Sequence, residues 1–448
     1  MGSECEYVVP SSQNDPALLK RVLRAESINA AVGQKIANTH SGHRQYLLNG
    51  ACAYDDLRHL EYCSPETRRP SDLVAADLAG ISIVGSVISA DDDNASIYRR
   101  VGTRHQEGTI TTSGYHENYM IPTESAKTAT LLNIIDTHIA TSIWAWSGIV
   151  AQSYELSQKA IGIGTSLSEN YVGSLMTHGK KPIARIVREA DILGGMDIWS
   201  RLEVRACDAP FSPWAIYMKY ATSSLVAHLA AHPQYIDESL RNVTLTDPVS
   251  SLQQSSQDLT LVQPHKLSND KTITAIEAQR ALAMSAQAMS QHIELQPELL
   301  AAIPEWLTIC DDLERVGGQK DEHNFSLIAN RVEWAARHTI LSRKLGHAAL
   351  TIDRPEAVML DLIWDRVYPA GLAIKYWASQ TNNLSAYGST EAQAHFVSAP
   401  PNDTRAKARA TLLGSDDHFS SVTWSKLDTA GKTYQLRDSY RSDLPNAA

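Results

Sequence analysis

Gly50-Ala51-Cys52-Ala53-Tyr54-Asp55-Asp56-Leu57-Arg58-His59-Leu60-Glu61-Tyr62-Cys63-Ser64-Pro65-Glu66 decides how this chain is read. The stretch packs four acids (Asp55, Asp56, Glu61, Glu66), an arginine, a histidine and two tyrosines into about one strand and one turn. Along a strand, alternate residues share a face. Cys52, Tyr54 and Asp56 then point one way, and Ala51, Ala53 and Asp55 the other. A strand that only filled a core has no use for an acid beside a tyrosine. Two readings stand at this point: an edge strand with a solvated acidic turn, or one wall of a site whose other groups come from elsewhere in the chain.

The chain has 448 residues, 43% of them hydrophobic and 20% charged, with a formal net charge of −10. That length accommodates two or three domains, or one large domain with an appendage, and the composition is globular. The negative balance argues against nucleic acid as a partner, because phosphate binding rests on clustered Lys and Arg. Five cysteines (Cys5, Cys52, Cys63, Cys207, Cys310) are odd in number and form no CxxC pair. They argue against a disulfide framework or a zinc ribbon and fit a reducing cytoplasm. The first residues enter a strand pattern without a basic segment and apolar run, so no signal peptide is expected. No uncharged run of 18 apolar residues predicts a membrane span.

Working outward, Met1–Val9 alternates as a strand ended by Pro10, with Glu4 and Glu6 on one side and Ser3, Cys5 and Tyr7 on the other. Two carboxylates that close repel unless a cation or solvent compensates. Gly114–Pro122 reads as another strand, with His116 and Asn118 on one face and Glu117 and Tyr119 on the other. Such a set is costly to bury unpaired and suits a metal or phosphate site. Arg201–Asp208 sets Arg201, Glu203 and Arg205 against Leu202, Val204 and Ala206. Apolar periodicity predicts helices over 15–37, 72–87, 124–153, 214–231, 273–299, after Pro304, and over 325–345 and 355–367. Gly102–Ser113 and Asn242–Asp270 read as polar loops and Gln380–Glu391 as a linker. Pro400-Pro401-Asn402-Asp403-Thr404-Arg405 opens a new unit, with Asp403 or Thr404 as helix cap and Arg405, Lys407 and Arg409 placed to meet phosphate. Ser421–Tyr440 alternates like a hairpin. The polar signals are thus strands whose acids face one way, separated by apolar helices. Oxygen ligands without thiolate pairs favour Mg2+ over Zn2+, and Mg2+ held by a few carboxylates implies phosphate co-ligands.

In order along the chain, Gly2-Ser3-Glu4-Cys5-Glu6-Tyr7, Asn49 to Asp56, Leu60 to Glu66, His116-Glu117-Asn118-Tyr119, Arg201-Leu202 and Pro400 to Lys407 resemble the Pup ligase and depupylase family. The resemblance runs from about residue 2 to about 435. Members of that family attach or remove the prokaryotic ubiquitin-like protein Pup. The resemblance implies an α+β chain of the glutamine-synthetase-like carboxylate–amine ligase fold: a curved antiparallel sheet packed by helices in a catalytic domain over 1–385, and a small C-terminal domain over 386–448. It implies Asp56 as base or nucleophile at the Pup side-chain carbonyl. Glu4, Glu6, Tyr54, Glu61, His116 and Glu117 are the implied metal-site residues, and Ser64, Arg201, Arg405 and Trp424 the implied nucleotide contacts. The implied cofactors are Mg2+ and ATP, or ADP plus phosphate. The implied partners are Pup or pupylated proteins, or a small amide substrate.

Within the family, the Tyr54–Glu66 spacing and its Ser-Pro-Glu ending are similar to depupylases, since the ligases carry one more residue in that loop. The segment between Tyr7 and Gly50 is too short for the long loop depupylases insert there. The expected activity is that of a depupylase-like amide hydrolase. The alternatives are an ATP-dependent carboxylate–amine ligase and a Pup-binding pseudoenzyme. The chain departs from the family pattern at Cys52, where an arginine is usual, and at Glu203, where a histidine is usual. It departs again at Ala209-Pro210, where an asparagine is replaced, and at Tyr98-Arg99-Arg100-Val101, which stands for Tyr-Lys-Asn-Asn. Arg99, Arg100 and Arg104 are expected to line a basic groove for acidic Pup.

Overall fold

The computed structural model describes residues 1–15, 17–24, 27–28, 44–167, 181–187, 198–318, 325–380, 384–415 and 418–445. A seven-stranded sheet organises them. Its strands are β1 (Gly2–Tyr7), β2 (Arg44–Tyr46), β3 (Cys52–Asp56), β4 (His59–Cys63), β5 (Tyr115–Pro122), β6 (Ala184–Val187) and β7 (Trp199–Val204). They lie in the order β6-β7-β5-β1-β4-β3-β2, and neighbouring strands are antiparallel throughout. The Gly50–Glu66 stretch is therefore two strands rather than one, folded back at Leu57–Arg58.

Alternation sorts the sheet as the sequence pattern requires. One face buries Cys5, Tyr7, Leu60, Tyr62, Tyr115, Tyr119, Leu202 and Val204 in the main core. Helices α1 (Pro70–Ser89) and α3 (Pro213–Ala231) cover that face, and α2 (Ala129–Thr141) packs on α3. Each fully buried Leu or Val side chain contributes about 1.5–3 kcal/mol. The approach of α1 to β4 needs Gly80, because a Cβ there would lie 2.5 Å from the Tyr62 ring. By length and composition α1 is apolar enough to cross a membrane, but two-thirds of it is buried in the protein. Its Asp77 is tied to Arg99 at 2.5 Å and to the Ser3 hydroxyl at 2.8 Å.

Several expectations change. Instead of one helix over 15–37, a short helix, Pro10–Asn14, precedes a second, Leu18–Val22, which ends at Leu23; residues 16, 25–26 and 29–37 lie outside the described ones. Helix α2 stops at Thr141, short of the expected 153, and a turn and a hairpin (Ile149–Val150, Tyr154–Glu155) follow. Pro304 sits inside helix Pro297–Val316, whose first turn is capped by the Gln296 side chain. Gly102–Ser113 is a hairpin rather than a loop. Within 242–270, helix Pro248–Gln257 packs on α2 and buries Ser251, Leu252, Ser255 and Ser256. Small hydroxyl side chains fill a helix interface here, so this Ser-rich segment is not the polar loop expected.

Toward the C-terminus, helix Thr390–Ser398 packs on α1 through Phe396. Helix α4 (Arg405–Leu413) then leads into β8 (Phe419–Val422), β9 (Lys426–Thr429) and β10 (Thr433–Gln435), a three-stranded sheet instead of one hairpin. These elements form a second core in which Ala408, Leu412, Leu413, Phe419, Val422 and Leu427 pack on Tyr46, Cys52 and Cys63. The second core thus sits against the other face of β2–β4, leaving the acids of that face beside it.

Candidate active site

Register places the acids of three strands in two rows across that face. In one, His116 of β5 lies opposite Glu4 of β1, Glu4 opposite Cys63 of β4, and Cys63 opposite Cys52 of β3. In the other, Glu6 lies opposite Glu61, Glu61 opposite Tyr54, and Tyr54 opposite Arg44 of β2. Asp56 closes β3 opposite His59. Directly opposed residues on antiparallel strands project to the same side at about 4.5–5.5 Å between Cβ atoms, so a local alternation becomes a collected site.

Two groups result in which one ligand atom per residue lies within 4.8 Å of the others: Glu4 with His116 and Glu203, and Glu6 with Asp56 and Glu61. In the first, His116 Nδ1 is 3.1 Å from Glu4 Oε2 and 3.6 Å from Glu203 Oε1. Arg201 reaches Glu4 at 3.2 Å, Arg205 reaches Glu203 at 2.5 Å, and Arg185 also pairs with Glu203. Burial alone would raise Glu4, but the His116 hydrogen bond and the charges of His116, Arg201 and Arg205 bring it down to about 2. Glu203 is lowered too, with burial and Glu4 opposed by His116, Arg185 and Arg201.

In the second group burial and then the charge of Glu4 push Glu61 up to about 8. Burial and Glu6 raise Asp56. Burial also lifts the Tyr54 phenol far above its ordinary range, keeping it neutral. Crowded carboxylates raised by one another are what a divalent cation relieves. The donor set of oxygens and one imidazole therefore fits Mg2+.

Beside the first group a cleft opens, lined by Glu4, Ser64, Glu66, Asn118, Arg201, Arg405, Trp424 and Tyr440 among others. All four expected nucleotide contacts, Ser64, Arg201, Arg405 and Trp424, line it together. Glu66 braces its wall, accepting from Arg405 Nε at 2.7 Å and from Arg409 Nη2 at 2.6 Å. Burial raises Glu66, but the charges of Arg409 and Arg405 win and hold it at about 2. Arg409 also lies over the Trp424 ring, 4.7 Å from its centroid.

Not every expected residue joins. Glu117 faces the helices, not the acids. It is 1% exposed and accepts from Tyr119 at 2.5 Å, Cys207 at 2.9 Å and Ser223 at 3.2 Å. The strand alternation already separated it from His116, although the run of His, Glu and Asn, and then the resemblance, grouped the two. Lys407 is exposed, and Arg409 is committed to Glu66 and to the Gly50 carbonyl. Arg99, Arg100 and Arg104 form no groove: they are held by Asp77, by Asp361 and Asp365, and by Glu155. Cys52 is fully buried under the C-terminal unit. Conversely, Glu203 and Glu66 were missed as site residues. The signal for Glu203 was its place between two arginines on the wet face of its strand.

The sequence model of the family described as Pup-ligase protein matches residues 4–428. The chain is 25% identical to a Pup–protein ligase of Renibacterium salmoninarum over 98% of its own length and 94% of the relative's. It is 24% identical to one of Acidimicrobium ferrooxidans over 99% and 96%. With a Pup deamidase/depupylase of Mycolicibacterium smegmatis it shares 26% over 85% and 74%. Among solved structures, the ligase PafA in complex with Pup superposes with a TM-score of 0.78 at 18% identity, covering 99% of this chain and 89% of that one. PafA in complex with ADP gives a TM-score of 0.73 at 19% identity, covering 90% and 88%. The fold is accordingly the α+β, glutamine-synthetase-like one. On a family match that spans nearly its whole length, this chain belongs to the Pup-ligase family.

Proposed function

We propose that the chain is an ATP-dependent carboxylate–amine ligase joining the side-chain carboxylate of Pup's C-terminal glutamate to a lysine amine of an acceptor protein. One observation carries this reading. A single sheet face holds, in order, the cleft at Trp424 and Arg405, the Glu4–His116–Glu203 group and the Glu6–Asp56–Glu61 group. Relatives named as ligases run the length of the chain, whereas the depupylase relative covers less of it. That balance favours ligation over the hydrolysis expected from the loop spacing alone.

In this reading Trp424 offers an aromatic face to the base, and Arg201 and Arg405 offer guanidinium groups to phosphates. Glu4, His116, Glu203, Glu6, Glu61 and Tyr54 would hold Mg2+, which neutralises phosphate charge when bound. The γ-phosphoryl group of ATP passes to a carboxylate oxygen, giving an acyl phosphate and ADP. The lysine nitrogen attacks the acyl carbon, its proton goes to Asp56, and inorganic phosphate leaves with the electron pair of the broken C–O bond. Burial and Glu6 raise Asp56, which makes it a stronger base. Glu203 lies with Glu4 and His116 in a group able to hold a cation, which supports a working site over a pseudoenzyme. Five buried thiols, none in a disulfide, suit a cytoplasmic setting.

Purified protein mixed with ATP, Mg2+, Pup ending in glutamate and a lysine-bearing acceptor is expected to release ADP in step with conjugate. Conjugate cleavage with no net ADP, and no conjugate formed, would support the hydrolase instead. The two-residue turn at Leu57–Arg58 is the observation that keeps that second reading alive.

A further inference from the structure

The hairpin that delivers Asp56 turns through two consecutive residues in the left-handed region, Leu57 at φ 49° and Arg58 at φ 71°. Neither is glycine, asparagine or aspartate. Two-residue hairpins favour Asn-Gly here because a Cβ crowds the following carbonyl oxygen in this conformation, a cost Gly escapes and Asn offsets with local hydrogen bonds. Leu57 is moreover 85% exposed. A strained backbone that displays a large apolar side chain to water stabilises nothing by itself, and it persists only where the surroundings over-determine it. Here they do. The Arg58 N–H donates to Asp55 Oδ1 at 2.8 Å, and the Ser12 hydroxyl lies 2.8 Å from the Arg58 carbonyl oxygen. Ser12 in turn lies 2.7 Å from the Val9 carbonyl, which ties the tip to the end of β1.

Its position gives the tip a use. The cleft meets β4 at Cys63 and Ser64, and the tip lies beyond His59 at the other end of that strand. The two ends are about 16 Å apart at a strand's rise per residue. Leu57 and Arg58 directly follow Asp56 at the strand end away from the cleft, so both exposed side chains stand beside Asp56 on that side. We infer that Leu57 and Arg58 form the docking lip for the acceptor polypeptide, reading an apolar side chain and a neighbouring carboxylate beside the lysine to be modified. Leu57 supplies the apolar contact and the exposed Arg58 guanidinium the charge match. The inference deepens the ligase reading and rests on it. The lip sets which proteins are accepted, while Asp56 and the acids behind it serve any amine.

The test uses full-length protein with Leu57→Ser, Arg58→Ser and the double variant Leu57→Asn/Arg58→Gly, which suits the turn and keeps Asp56. Each is assayed with Pup and ATP against a protein acceptor and against hydroxylamine, a small amine that needs no lip. Expected is a rise of about tenfold in KM for the protein acceptor. With hydroxylamine, kcat should stay within about twofold. The double variant should also melt higher than the parent, since its turn carries less strain. A protein-acceptor KM that does not move overturns the inference. So does an equal loss with both amines, which would mean the tip only positions Asp56. Failure of the ligase reading looks different, because the parent protein would then release no ADP with either amine.

Discussion

Two groups of ligand-bearing side chains share one sheet face and are built on opposite plans. Glu4, His116 and Glu203 lie among Arg185, Arg201 and Arg205. Among the described residues, Glu6, Asp56 and Glu61 have the His59 imidazole 3.9 Å from Glu6 and no guanidinium within ion-pairing reach. Glu4 accordingly ionises near 2 while Glu61 is pushed up to about 8. The first group is compensated by the fold and is ready before any cation arrives. The second stores repulsion that a cation would release. A pre-paid group holds geometry, and an uncompensated one responds to ligand, so substrate and metal binding should register most strongly at the second.

The severest challenge to that contrast is Asp56→Asn. If Asp56 takes the amine proton, conjugate formation should fall by about 10²–10⁴-fold, with thermal melting unchanged or slightly raised because one repelling charge is gone. Retained turnover would remove Asp56 from the chemistry.

Glu66 offers a third case, a carboxylate clamped by two arginines. Its folded value of about 2 lies below the ordinary 4.5, so the stabilisation is present above pH 4.5 and is lost as pH falls from there toward 2. Glu66→Gln should cost about 3 kcal/mol near neutral pH. Urea titrations of parent and variant should differ at pH 7 and converge toward pH 3.

Glu61 should behave with the opposite sign. Its folded value is raised, so ionisation costs stability increasingly as pH climbs from 4.5 to about 8. Without metal, Glu61→Gln should stabilise the protein clearly at pH 8 and by under about 1 kcal/mol at pH 5. Added Mg2+ should raise the melting temperature of the parent more than that of the variant. A larger Mg2+ effect in the variant would break the proposed division between the groups.

The smallest effect is expected at the cleft. Trp424→Ala removes a ring that also packs on Arg409 and Tyr46, and nucleotide affinity should drop by about tenfold in calorimetry. The Glu6–Asp56–Glu61 response to Mg2+ should survive.

Much of the site could be read before folding, because period-two alternation is local. Glu4 and Glu6 against Ser3, Cys5 and Tyr7, or His116 against Glu117, follow from which way successive Cβ atoms point. The error at Glu117 came from reading His116, Glu117 and Asn118 as one polar set, which the family likeness reinforced, and setting that alternation aside. Helix ends were read less well. Ser251 and Ser255 were taken for surface polarity although helix packing buries them, and Pro304 was taken for a start although the first turn of its helix lies upstream.

By itself the sequence determined the faces of the strands, the apolar helices behind them and the family pattern of acids. Tertiary structure alone decided strand order and register, which put Glu203 within 3.6 Å of a histidine 87 positions earlier in the chain. It also decided which charges are compensated. Arg99 and Arg100 went to buried aspartates while, among the described residues, Glu61 was left without a guanidinium. The physical reason is that a side chain's direction depends on its neighbours in sequence, whereas its electrostatic partner depends on which distant strand the hydrogen-bond ladder brings alongside.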